Sequence, residues 1–206
     1  MREDASYRFE DGRTLVQLEM VPDDALFILL TEDTDVSGYT VPASYENTLM
    51  TLDGTWDIAF QEGRGAPASA RLPHLEPLSE SAVEGIRYFS GTASYTKTFE
   101  YYPHDTETSV WIDLGEVHHM ARVFLNGVDL GLAWKEPYKV DASKAIKAGA
   151  NELEVRVTDS WANRLIGDER KSPEDRITYT ATQFYTAEDN PIPSGLVGPV
   201  RLTERH

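Results

Sequence analysis

At 206 residues, with 40% apolar and 26% charged side chains, the chain has the make-up of a globular protein, long enough for one domain of about 150 residues plus an extra segment. It contains no cysteine, which excludes a disulfide framework and a thiolate metal site and leaves the compartment open. Nineteen Lys plus Arg against 35 Asp plus Glu give a formal charge of −16, so nucleic-acid phosphates and anionic membranes are unfavourable partners, and no apolar run approaches the roughly 18 residues of a membrane span.

Residues 1–10 carry neither the basic end nor the apolar stretch of a signal peptide, and a short polar start leading into a strand reads as a piece of a larger protein. Residues 13–20 alternate, with Val16, Leu18 and Met20 on one face. After Pro22-Asp23-Asp24 a second apolar run spans 25–30. The pair predicts an N-terminal β-hairpin. Residues 31–46 turn polar, with Gly38 and Pro42, and read as a linker. This places a boundary between residues 1–45, a hairpin and linker that reads as the end of a preceding domain, and residues 46–206.

Trp56, Ile58 and Phe60 share one face of a strand, and 63–81 reads as a long Pro/Gly/Ala-rich loop. β character resumes over 88–101. Val110, Ile112 and Leu114 then alternate with Trp111 and Asp113, and Ala121, Val123 and Leu125 with Arg122 and Phe124. Asn126-Gly127 supplies the two positive-φ positions of a type I′ turn, which sets 128–132 antiparallel to 121–125. Asp141 suits the cap of a short helical turn over 142–148, ended by Gly149. Leu153, Val155 and Val157 give the cleanest alternation in the chain. From 160 to 194 the pattern dissolves into a polar stretch dotted with aromatics, and Val200 and Leu202 mark a closing strand. Many short strands and one helical turn predict an all-β sandwich or jelly roll.

The string Leu114-Gly115, Ala121-Arg122-Val123-Phe124-Leu125-Asn126-Gly127, Leu130-Gly131, Trp134, Pro137-Tyr138, Val140-Asp141, Gly149, Asn151, Leu153 resembles the sugar-binding jelly-roll domain of the β-galactosidase and β-glucuronidase family. Ser194-Gly195-Leu196 through Pro199-Val200-Arg201-Leu202 is similar to that domain's closing strand. More narrowly, Leu130 to Tyr138 together with Trp161 to Glu169 resembles the C-terminal domain of large bacterial α-L-rhamnosidases. The resemblance implies a jelly-roll β-sandwich of the galactose-binding type and a non-catalytic, carbohydrate-associated domain. Its implied partners are carbohydrate and the catalytic domain of a parent glycoside hydrolase, in a bacterial periplasmic or extracellular setting. In that family the catalytic carboxylates sit on an upstream barrel, which nothing in this chain resembles.

Two clusters are candidate sugar contacts. Trp134 stands in a Lys135-Glu136-Pro137-Tyr138 context after the hairpin, where an indole can stack on a pyranose ring and Tyr138 can add a second face; the alternative is that both rings plug one end of the sandwich. In the resembled galactosidases the corresponding loop leans toward the catalytic pocket, which adds Lys135 and Glu136. Asn163, Arg164 and Asp168 lie on the long polar stretch; Arg and a carboxylate can hold sugar hydroxyls, or, four residues apart, pair with each other. His118 and His119 adjoin in a strand-like region, point to opposite faces and do not chelate one metal readily. Glu188-Asp189-Asn190 offers hard oxygen ligands, such as the structural calcium of some domains of this fold takes, at a spacing that matches no calcium loop, and reads as a solvated acidic turn. No cofactor is implied.

Overall fold

A computed structural model describes residues 4–31, 33–103 and 109–205. The chain divides into two compact units, Met1–Tyr45 and Glu46–His206.

In the first unit, β1 (Tyr7–Glu10), β2 (Arg13–Val16) and β3 (Gly38–Tyr39) form a small antiparallel sheet in the order β2-β1-β3. The hairpin is therefore not the one expected over 13–30. Asp11 at φ 51° and Gly12 at φ 74° make a tight turn, so Arg13 pairs backward with Glu10 and Val16 with Tyr7. The Pro22-Asp23-Asp24 turn does form, with Val21 N–H donating to Asp24 Oδ2 at 2.8 Å. Beyond it, residues 25–30 join no sheet.

The second unit runs β4 (Glu46–Thr51), β5 (Trp56–Phe60), β6 (Ser69–Leu72), α1 (Glu84–Arg87), β7 (Thr92–Tyr101), β8 (Ser109–Asp113), β9 (Glu116–Val117), β10 (Met120–Leu125), β11 (Val128–Ala133), β12 (Lys139–Asp141), β13 (Gly149–Thr158), α2 (Ala162–Glu169), β14 (Leu196–Gly198) and β15 (Arg201–Arg205). A six-stranded sheet, β11-β10-β13-β7-β5-β6, faces a four-stranded one, β12-β8-β15-β4, and β14 pairs with β9. All these pairings are antiparallel. The inward sets Ile58, Tyr95, Val123 and Val155 of one sheet and Ile112, Val140 and Leu202 of the other join a single buried cluster. With no disulfide, that packing holds the sandwich together, at about 1.5–3 kcal/mol for each fully buried aliphatic side chain.

Local chemistry explains the clearest hairpin. Asn126 (φ 52°) and Gly127 (φ 79°) turn β10 into β11, with Ala121 opposite Ala133. Asn126 Nδ2 donates to Ala145 O and to Asn151 Oδ1, both at 2.8 Å, and Asn151 Nδ2 donates to the carbonyls of Lys147 and Gly149. The turn is thus tied to the start of β13.

The 142–148 segment holds the single helical turn expected: Asp141 Oδ1 accepts the Ser143 N–H, and the N–H groups of Ala145 and Ile146 both donate to Ala142 O. Two expectations change. The 63–81 loop contains β6, whose register sets Trp56 opposite Leu72. The polar stretch after 160 contains α2, which the hydrophobic pattern hid because Asn163, Arg164 and Asp168 are among the residues it buries.

Candidate functional site

β11 ends at Ala133, which is buried, and the chain crosses from the six-stranded sheet to β12 of the four-stranded sheet through residues 134–138. This crossing closes one end of the sandwich. Trp134 projects from it, 57% exposed. Tyr138 is half-buried, packs against the core and points its hydroxyl at His119 O, 3.5 Å away. Burial pushes the Tyr138 phenol up, and the Glu136 charge adds to that. Lys135 Nζ donates to Glu136 O at 3.2 Å, and the Glu136 side chain is exposed. The two aromatic residues thus separate: Trp134 offers a free indole and Tyr138 anchors the loop.

The same end of the sheet carries further polar groups, because Ala121 pairs with both Ala133 and Val157 and so aligns three strand ends. His119 enters β10 with φ 73°, a conformation that costs a non-glycine residue energy and that concentrates at functional positions. Its Nδ1 lies 3.6 Å from Asp159 Oδ1. Asp159 is 8% exposed; its Oδ1 accepts the Gly195 N–H at 3.1 Å, while Oδ2 has no partner among the described residues. Burial pushes the Asp159 carboxyl up to about 6, against the lowering effects of the Gly195 amide and His119. The buried Tyr95 hydroxyl accepts the Leu196 N–H at 3.2 Å and is itself raised by burial. Gly195 has φ 89°, and a Cβ there would collide with the Tyr95 hydroxyl, so only glycine fits between them. Two residues beyond Asp159, the exposed Trp161 carries the Arg64 guanidinium 4.4 Å over its ring.

His119 and Asp159, which meet at 3.6 Å, and Trp161 were not among the site residues read from the sequence. One signal for them was present: Leu153, Val155, Val157 and Asp159 share inward parity, so an acid occupies a core position at the strand's end.

Asn163, Arg164 and Asp168 lie on α2 and not on a loop, and each is only 2% exposed. The Asn163 amide is used at both ends by Ile192, donating to its carbonyl and accepting from its N–H, each at 2.8 Å. Arg164 Nη2 meets Asp168 Oδ1 at 3.0 Å, and Asp168 Oδ2 accepts from Ile177 N–H, Thr178 N–H and the Thr178 hydroxyl. Of the two readings of these residues, the mutual ion pair is the geometry found. With their polar groups turned inward, they hold the segment after α2 and present little surface to a ligand.

Asp189, in the acidic turn, spends Oδ2 on the Thr186 N–H and hydroxyl. Among the described residues no three His, Asp or Glu side chains converge as metal ligands, and none of the helices is long and apolar enough to cross a membrane.

Comparison with known proteins adds the following. The family model for the glycosyl hydrolase 2 galactose-binding domain-like fold matches residues 76–189. A putative beta-glucuronidase of Formosa agariphila is 38% identical over 178 residues, 74% of this chain and 15% of that protein. The solved structure of a rhamnosidase from Novosphingobium sp. PP1Y superposes with a TM-score of 0.90 at 45% identity, over 98% of this chain and 19% of that one. A Ruminococcus gnavus beta-glucuronidase superposes with a TM-score of 0.52 at 17% identity, over 81% of this chain and 29% of that one, a likeness of fold alone. The chain therefore spans less than a fifth of the first two.

Proposed function

The chain belongs to the glycosyl hydrolase 2 galactose-binding domain-like family, and from that premise we propose that it serves a glycoside hydrolase of the α-L-rhamnosidase kind as a non-catalytic, carbohydrate-associated domain. The rim around Trp134 faces sugar, either alone or as a wall of a neighbouring catalytic pocket. The observation that carries this reading is the exposed indole of Trp134 on a loop anchored by Tyr138. A rigid indole supplies stacking area at little rotamer cost, and the half-buried Tyr138 keeps the platform in place. Lys135 and Glu136 flank it with a cation and an anion that can reach ring hydroxyls. Glycoside hydrolysis requires two carboxyl groups about 5–9.5 Å apart across the scissile bond. Asp159 is buried beside His119 with one oxygen held by the Gly195 N–H, and no second carboxyl is seen to face it across a substrate-sized gap among the described residues.

A second reading, a module that positions a catalytic domain without touching sugar, is favoured by the inward use of Asn163, Arg164 and Asp168. A nuclear magnetic resonance titration of the wild type and Trp134→Ala with rhamnose, galactose and glucuronic acid separates the two. The sugar-facing reading expects a dissociation constant near 1 mM, that is about −4 kcal/mol, for the neutral sugars, weakest binding of the glucuronate against a −16 chain, and loss of binding in the variant. Equal binding by both proteins moves the site away from Trp134. Incubation with nitrophenyl glycosides, including the α-L-rhamnoside, tests the non-catalytic part: turnover that follows the pure protein and vanishes on replacing one acid overturns it.

A further inference from the structure

Residues 25–30, Ala-Leu-Phe-Ile-Leu-Leu, are six consecutive apolar residues that follow a well-formed turn, yet they join no sheet and make no backbone hydrogen bond among the described residues. Their side chains are bare on both faces: Phe27 is 93% exposed and Leu30 78%, and Leu26, Ile28 and Leu29 are exposed as well. An uninterrupted run of this length is the pattern of a strand buried on both sides, not of a surface loop, and once the run is buried its backbone needs a neighbouring strand to accept its hydrogen bonds. The rest of the first unit supplies no such setting. None of its described residues is buried, and a small sheet needs an apolar face covered to be stable.

We infer that residues 25–30 are a β-strand contributed to the sheet of an adjoining β-domain within a longer polypeptide, pairing by backbone with an open strand edge and burying Phe27 and Leu29 in that domain's core. Two observations choose this occupant. The likeness to the rhamnosidase takes in 98% of this chain but only 19% of that one, so a chain of this form occurs there as part of a much longer polypeptide. A second copy of this chain is disfavoured, because each carries a formal charge of −16.

Hydrogen exchange followed by mass spectrometry tests the inference on the 206-residue chain and on the full product of its natural reading frame. The expected result is exchange of residues 25–30 within seconds in the 206-residue chain, which sediments as a monomer, and exchange slowed about 100-fold or more in the longer polypeptide. Phe27→Lys with Leu29→Lys should abolish that protection while leaving the melting of the 206-residue chain unchanged. A reading frame that encodes nothing beyond these residues overturns the proposal, as does equal exchange in the two proteins. Protection within a dimer of the 206-residue chain assigns the run to a second copy, and protection within its monomer assigns it to the chain's own surface; either result overturns the proposal too.

Discussion

The loop from Trp134 to Tyr138 and the helix from Ala162 to Glu169 with the Trp161 that precedes it contain the same kinds of residue, an aromatic entry followed by opposite charges, and the fold uses them in opposite ways. On the loop the indole stays in solvent, followed by the half-buried Lys135 and the exposed Glu136. On the helix the charges go inside and meet each other at 3.0 Å. What separates them is the company available. α2 finds the Ser90 hydroxyl for the Arg164 backbone N–H and the 177–178 backbone for Asp168 Oδ2, so the burial of the pair is partly compensated, although Arg164 Nε and Asp168 Oδ1 make no hydrogen bond among the described residues. The 134–138 crossing leaves the Trp134 ring in solvent, while the Tyr138 hydroxyl reaches His119 O and Lys135 Nζ reaches Glu136 O. Residue types that suit sugar binding are therefore evidence of a site only where the fold leaves them exposed.

The sharpest break of this contrast is Asp168→Ala. It strands the Arg164 guanidinium in a buried position, and removing one partner of a buried pair costs about 3–5 kcal/mol. At about 2–4 °C per kcal/mol for a chain of this size, the melting temperature should fall by roughly 6–20 °C. A fall of about 1 °C or less would mean that Arg164 reaches water or another partner once Asp168 is gone.

Asp159, between the two regions, gives the next effect. Its folded carboxyl, raised to about 6, lies above the unfolded value of about 3.9, so the folded state holds the proton more tightly. The contribution to stability is complete below about pH 4 and is lost as pH rises through about 6. Two pH units between the states correspond to about 3 kcal/mol. Urea unfolding at intervals from pH 4 to pH 7 should show wild-type stability declining relative to Asp159→Asn over this range. The amide keeps an acceptor for the Gly195 N–H without the buried charge. Parallel pH profiles would show that the carboxyl is already ionised at pH 4.

Trp134→Ala should have the smallest effect on folding, within about 0.5 kcal/mol, because the ring is more than half in solvent. A thermal melt measures it. A loss beyond 2 kcal/mol would make the indole a plug of the sandwich and move the loop to the structural side of the comparison. Together, a large effect at Asp168 and a negligible one at Trp134 sharpen the division between latch and rim.

The strands that carry the core were legible wherever alternation ran unbroken, as at Leu153, Val155 and Val157, and the turn at Asn126-Gly127 was legible because positive φ is a property of those two residues themselves. The Asp11-Gly12 turn carries the same signal, and the apolar run at 25–30 has the pattern of a second strand although it joins no sheet. α2 escaped because three of its inward residues are polar, so hydrophobic periodicity had nothing to register.

The sequence by itself determined the all-β class, the inward faces of the main strands and the hairpin at Asn126, since each depends on residues adjacent in the chain. Only the tertiary structure decided that Arg164 and Asp168 are a buried latch, that Tyr138 anchors while Trp134 projects, and that His119 covers Asp159. The surroundings that bury these groups come from far away in sequence: 74 residues separate Arg164 from Ser90, 36 separate Asp159 from Gly195, and 19 separate Tyr138 from His119. Whether a polar side chain is satisfied or left free depends on which distant groups the sandwich brings within about 3 Å of it, and no local pattern of residue types encodes that distance.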